Sequence, residues 1–123
     1  MAYTYSFEKL SVWQLNRQFA KKLYKQTKSF PKEELFGITS QIRRACISVS
    51  CNLAEGGARK SPKEQYRFYE IAFGSAAEVV NLLILCNDLE MINDGDYADL
   101  RKEMEKITWH IHTLMKGIEP GKD

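Results

Sequence analysis

The chain has 123 residues, 44% of them hydrophobic, with a formal net charge of +2. That length fits one compact domain, residues 1–123, with a single core and room for about four helices. No apolar run approaches the roughly 20 residues of a membrane span, and MAYTYSFEKL lacks the basic-then-apolar order of a secretion signal, so a cytoplasmic protein with no membrane partner is expected.

Residues 1–6 read as a short disordered tail. The first helix opens at Ser11, with Gln14 three residues on in a capping-box arrangement. Val12, Leu15, Phe19 and Leu23 share one side, and the helix stops before Phe30-Pro31. Its other sides carry Arg17, Lys21, Lys22, Lys25 and Lys28.

The second helix runs from about Thr39 to Gly56-Gly57, where glycine suits a left-handed stop. The third has the clearest start. Ser61-Pro62-Lys63-Glu64 supplies a cap residue, proline at the first helical position and glutamate at the third. It reads on to around Met91. Asn93-Asp94-Gly95-Asp96 turns the chain into the fourth helix, in which Tyr97, Leu100, Met104, Ile107, Ile111, Leu114 and Ile118 recur in steps of three and four. Pro120-Gly121 ends it, and residues 119–123 read as a second disordered tail. Nothing alternates with period two as a strand would. The expected fold is all-α, an antiparallel up-and-down four-helix bundle.

The faces of the middle helices predict an assembly. At about 100° per residue, Ile42, Ala45, Cys46, Val49 and Leu53 make a core stripe, yet neither of the other two faces of the second helix has the Lys/Glu surface of a solvated helix. The third helix carries a core stripe and, beside it, a second apolar strip of Ile71, Leu82, Leu85 and Leu89. Apolar patches of that size are uncommon on monomers, so a homo-oligomer is expected. The interior Gly74, beside Ser75, Ala76 and Ala77, allows close helix approach. Trp109, opposite the seam of the fourth helix, reads as a lone exposed aromatic.

Charge is distributed unevenly. Residues 1–67 hold 13 Lys/Arg against 5 Asp/Glu, a net of +8; residues 68–123 hold 5 against 11, a net of −6. Such one-sidedness can attract a polyanion even when the total is modest. The candidate nucleic-acid contacts are Arg17, Lys21, Lys22, Lys25, Lys28, Arg43, Arg44, Arg59, Lys60 and Lys63. The last three, with Arg67, surround a helix N-terminus, where anions bind readily. Arg43 and Arg44 have two readings: interface pairing suited to the planar guanidinium, or copies that line a shared basic surface in a ring and hold phosphates without base specificity. Asn52 and Glu55 are polar in a small-residue helix and are candidates for a buried network at an interface.

Catalytic and metal chemistry is poorly supported. His110 and His112 are two apart and point about 200° away from each other on a helix, not the i,i+3 or i,i+4 spacing of helical metal ligands. No phosphate loop or nucleophile elbow is present. Cys46, Cys51 and Cys86 form no C-x-x-C pair and read as reduced packing residues. No enzyme, cofactor or metal is expected.

The chain also resembles the small bacterial four-helix-bundle proteins encoded by intervening sequences within 23S rRNA genes. The resemblance runs from FEKLSVWQ through FPKEELFGITSQIRRACISVSCNLAEGGARKS to EIAFGSAAEV. Its most specific pieces are Gln41–Ala45, Asn52–Gly56 and Gly74–Ser75. Ser50-Cys51 stands where members often carry Pro-Ala. The resemblance implies a homopentameric ring. Relatives in diversity-generating retroelements look like accessory proteins that bind nucleic acid and a reverse transcriptase, although they tend to be more basic. The expected function is therefore a non-enzymatic oligomer that binds rRNA or other RNA or DNA. The alternative is an oligomeric protein–protein adaptor.

Overall fold

The computed structural model describes residues 2–118. Four helices, α1 (Ser11–Thr27), α2 (Ile38–Ala58), α3 (Pro62–Asp88) and α4 (Asp94–Gly117), follow a short 3-10 turn at Ser6–Lys9. A second 3-10 turn, Lys32–Glu34, lies between α1 and α2. Each helix packs on the next and α4 closes back on α1, so the core lies at the centre of a square bundle.

Side-chain bonds fix the antiparallel registers. Asn16 Nδ2 on α1 donates to the Cys46 carbonyl and to Ser50 Oγ on α2, at 3.1 and 2.7 Å. Ser48 Oγ on α2 and Ser75 Oγ on α3 lie 2.8 Å apart. Lys22 Nζ on α1 meets Glu103 Oε1 on α4 at 2.6 Å. Phe19, Leu23, Ile42, Val49, Leu53, Val79, Leu83, Met104, Ile107 and Ile111 fill the core between these contacts.

Ser61 caps α3 as its sequence predicts, accepting from the Glu64 amide at 3.3 Å, and Asn93 caps α4 by accepting from the Asp96 amide at 2.7 Å. Three local expectations need correction. Ser11 does not cap α1; the cap position is Leu10, and Gln14 reaches back to the Glu8 carbonyl instead. Gly56 and Gly57 do not stop α2 in a left-handed turn but lie inside it, where the Tyr69 ring leaves no space for a Cβ at Gly56. Finally, α3 ends at Asp88, before Met91, with Glu90 in the left-handed region (φ 59°) and the Met91 amide bonded back to the Cys86 carbonyl.

The apolar content of α3 also exceeds expectation. It is long and apolar enough to cross a membrane by length and composition. Tyr69, Ala72, Ala76, Val79, Leu82, Leu83 and Cys86 of that helix are buried within the bundle.

The expected second tail, 119–123, lies outside the described residues. At the other end, Ser6 Oγ donates to the Gly57 carbonyl at 2.8 Å, so this part of the expected first tail is held against the end of α2.

Candidate nucleic-acid interface

The fold separates the ten basic candidates into distinct settings. On α1, Lys22 and Lys25 face α4 across a cleft of about 470 Å³ that they line with Gln26, Ser29, Asp96, Asp99, Leu100 and Glu103. The Lys22–Glu103 pair is charge-assisted, and the carboxylate holds the Lys22 ammonium above its usual range. Both lysines therefore have acids close by, which weakens their pull on a polyanion. Lys21 and Lys28 do not line this cleft and are exposed.

Arg17 and Arg43 each lie over an aromatic ring of α1. The Arg17 guanidinium lies 5.6 Å from the Trp13 ring centre, and that of Arg43 lies 4.6 Å from Tyr24. Arg43 Nε also donates to Thr27 Oγ1 at 2.8 Å. Arg43 thus ties α2 to α1, while Arg44, about 100° further round the helix, is exposed and has no carboxylate within 4.0 Å among the described residues.

Arg59, Lys60 and Lys63 are exposed at the α2–α3 connection. Arg59 sits 4.8 Å from the Phe68 ring centre and 3.8 Å from Glu55. The antiparallel register brings this connection to the same end of the bundle as Ser6–Lys9, whereas Asp88, Glu90, Asp94, Asp96 and Asp99 cluster at the opposite end, around the α3–α4 connection. The bundle is accordingly basic at one end and acidic at the other. The lysine-rich second half of α1 reaches toward the acidic end.

The outer face of α2 and α3 carries the apolar surplus. Ile47, Ile71, Leu85 and Leu89 are each more than 40% exposed. Leu82 does not belong with them: it is 4% exposed and packs in the core. Asn52 donates to the Ser48 carbonyl and hydroxyl, extending the Ser48–Ser75 link between α2 and α3. Glu55 stays outside that network, exposed and engaged with Arg59. Gly74 lies open, with nothing within 4 Å of where a Cβ would stand, so no close approach inside the protomer explains it.

Sequence reasoning missed the aromatic ladder beside the basic end. Tyr3 packs edge-on against Tyr5 with ring centres 5.0 Å apart, Tyr5 stacks on Phe7 at 5.8 Å, and Phe7 meets Trp13 at 4.9 Å. Alternation of Tyr3, Tyr5 and Phe7 was the available signal. Elsewhere, Trp109 is exposed as expected and pairs with His110, while His112 lies near Phe73. No group of three or more His, Cys, Asp or Glu among the described residues is placed to hold a metal.

A model for the 23S rRNA-intervening sequence protein family matches residues 8–113. No curated protein matches the chain. The fold is similar to the crystal structure of a protein of unknown function from the S23 ribosomal protein family of Bacteroides thetaiotaomicron VPI-5482. That likeness has a TM-score of 0.80 at 22% identity, over 86% of this chain and 96% of the other. The chain belongs to the 23S rRNA-intervening sequence protein family.

Proposed function

We propose that this chain is a non-enzymatic homo-oligomer that binds nucleic acid through phosphate contacts at its basic positions. The observation that carries the reading is how few of those positions are neutralised. Of the ten, Lys22 alone holds a carboxylate at hydrogen-bond distance, and Arg59 meets one loosely at 3.8 Å; the rest have none within 4.0 Å among the described residues. Cations left free on a surface raise the local concentration of a polyanion and exchange its counterions for protein contacts. Arg59, Lys60 and Lys63 at the basic end are the favoured contacts, because the acids of α4 stand against Lys22 and Lys25. The outer α2–α3 face is the proposed subunit interface. A closed ring, five-fold as the family resemblance implies, would repeat the basic end around an axis.

Fluorescence anisotropy with a structured rRNA fragment and a matched DNA duplex, from about 50 to 200 mM salt, tests the reading. Affinity falling steeply as salt rises is the expected result. No binding to either at the lowest salt overturns it. The breadth of the apolar face favours a second reading, a protein-binding adaptor, which predicts a partner recovered equally well after nuclease treatment.

A further inference from the structure

The N-terminal segment presents its rings to solvent in an ordered arrangement. Tyr3 is 78% exposed and Tyr5 57%, yet both belong to a continuous ladder that ends on the half-buried Phe7 and Trp13. The ladder rests on a fixed base. Ser6 Oγ is bonded to the Gly57 carbonyl, and Phe7 lies so close to Gly57 that a Cβ there would stand 3.2 Å from the Phe7 Cβ. Exposed aromatic rings normally gain by burial, so an edge-on Tyr3–Tyr5 pair left in water keeps ring faces with unused capacity to stack.

Its surroundings are cationic. Arg17 lies over Trp13 at the inner end of the ladder, Lys9 follows Phe7 by two residues, and Arg59 and Lys60 follow Gly57 by two and three. Glu8 follows Phe7 directly in the chain, and Glu55 is turned toward Arg59 at 3.8 Å. Planar faces in a segment flanked by cations fit a ligand that is itself planar and anionic. Single-stranded nucleic acid has that chemistry; a duplex keeps its base faces stacked inside and offers phosphates alone.

We infer that Tyr3 and Tyr5 form a platform on which unpaired bases stack while the neighbouring cations hold the phosphates, so that the protein favours single-stranded over duplex nucleic acid. This rests on the nucleic-acid reading above and adds the strand state of the ligand.

The test uses the full chain, a labelled oligouridine of about 12 nucleotides and a duplex of equal length. Wild type is expected to bind the single strand about tenfold tighter than the duplex at the same salt. Tyr3→Ala/Tyr5→Ala is expected to lose about tenfold or more for the single strand, the scale of one or two stacked bases. Its duplex affinity and salt slope should stay unchanged. Tyr3→Leu/Tyr5→Leu, which keeps apolar bulk without a ring, should lose as much. Single-strand affinity unchanged in both variants overturns the platform while leaving the nucleic-acid reading standing. Wild type that binds neither probe overturns both.

Discussion

The ring of Tyr69 lies directly over Gly56, so close that a Cβ at Gly56 would stand 2.5 Å from Tyr69 Cε1. Both residues are buried, and the contact sets how closely the last turn of α2 approaches the first turns of α3. Gly56→Ala brings a gain of about 1 kcal/mol in helix propensity, but the methyl group forces the ring or the helix aside at about 1–3 kcal/mol. The packing cost should win. A lower urea midpoint for Gly56→Ala is expected; an equal or higher one contradicts the close approach.

Glu90 offers the opposite case. Its φ of 59° places a side chain where glycine is at home, at the end of α3. Left-handed backbone costs a non-glycine residue about 1–2 kcal/mol, and glycine returns part of that through the flexibility of the unfolded chain. Glu90→Gly should therefore stabilise by about 0.5–1 kcal/mol. A fall in the melting temperature would show that the Glu90 side chain contributes something besides its backbone.

The three thiols should differ sharply in reactivity. Burial pushes Cys46 up to about 12, and burial with Glu34 nearby pushes Cys86 up to about 11. Cys51 is exposed, one turn from Ile47 on the proposed subunit face. Ellman's reagent at pH 8 is expected to titrate Cys51 alone, more slowly as protein concentration rises and copies associate. Cys46 and Cys86 hold their protons more tightly folded than unfolded. Their contribution to stability is complete below the ordinary thiol value of 9.0 and is lost as pH climbs from there through about 11 and 12. Rapid titration of all three thiols, or a urea midpoint that does not fall above pH 9, contradicts the burial.

The subunit face is tested by charge. Ile71→Glu/Leu85→Glu alters two exposed positions, 43% and 41% accessible, without entering the core. Placing carboxylates in an apolar interface carries a desolvation cost that association does not recover. The variant should retain its helical circular dichroism and elute with the mass of one chain. Unchanged mass removes these residues from any interface.

The helices were legible in sequence because their signals are local. Ser61-Pro62 is cap chemistry, Asn93-Asp94-Gly95-Asp96 is turn chemistry, and the α4 seam is a single clean period. The failures came where a residue's meaning depends on another element. Gly56 looks like a stop signal until Tyr69 is brought against it, and Leu82 looks like surface until the bundle core closes over it. The same applies to the site. Lys22 and Lys25 read as free cations along α1, but the fold sets them opposite Asp96, Asp99 and Glu103, seventy or more positions later. The ladder escaped because Tyr3 and Tyr5 lie in a segment that reads as a tail, and it is the fold that anchors this segment, through the Ser6–Gly57 bond and the packing of Phe7 on Gly57 and Trp13.

Charge reversal at the basic end tests nucleic-acid binding most directly. Lys60 and Lys63 are exposed, and neither has a carboxylate within 4.0 Å among the described residues. Lys60→Glu/Lys63→Glu should therefore fold like the wild type. Binding through this end predicts weaker affinity and a plot of log K against log salt that is flatter by about two, near one for each phosphate that the variant no longer neutralises. Affinity and slope that both match the wild type would contradict it.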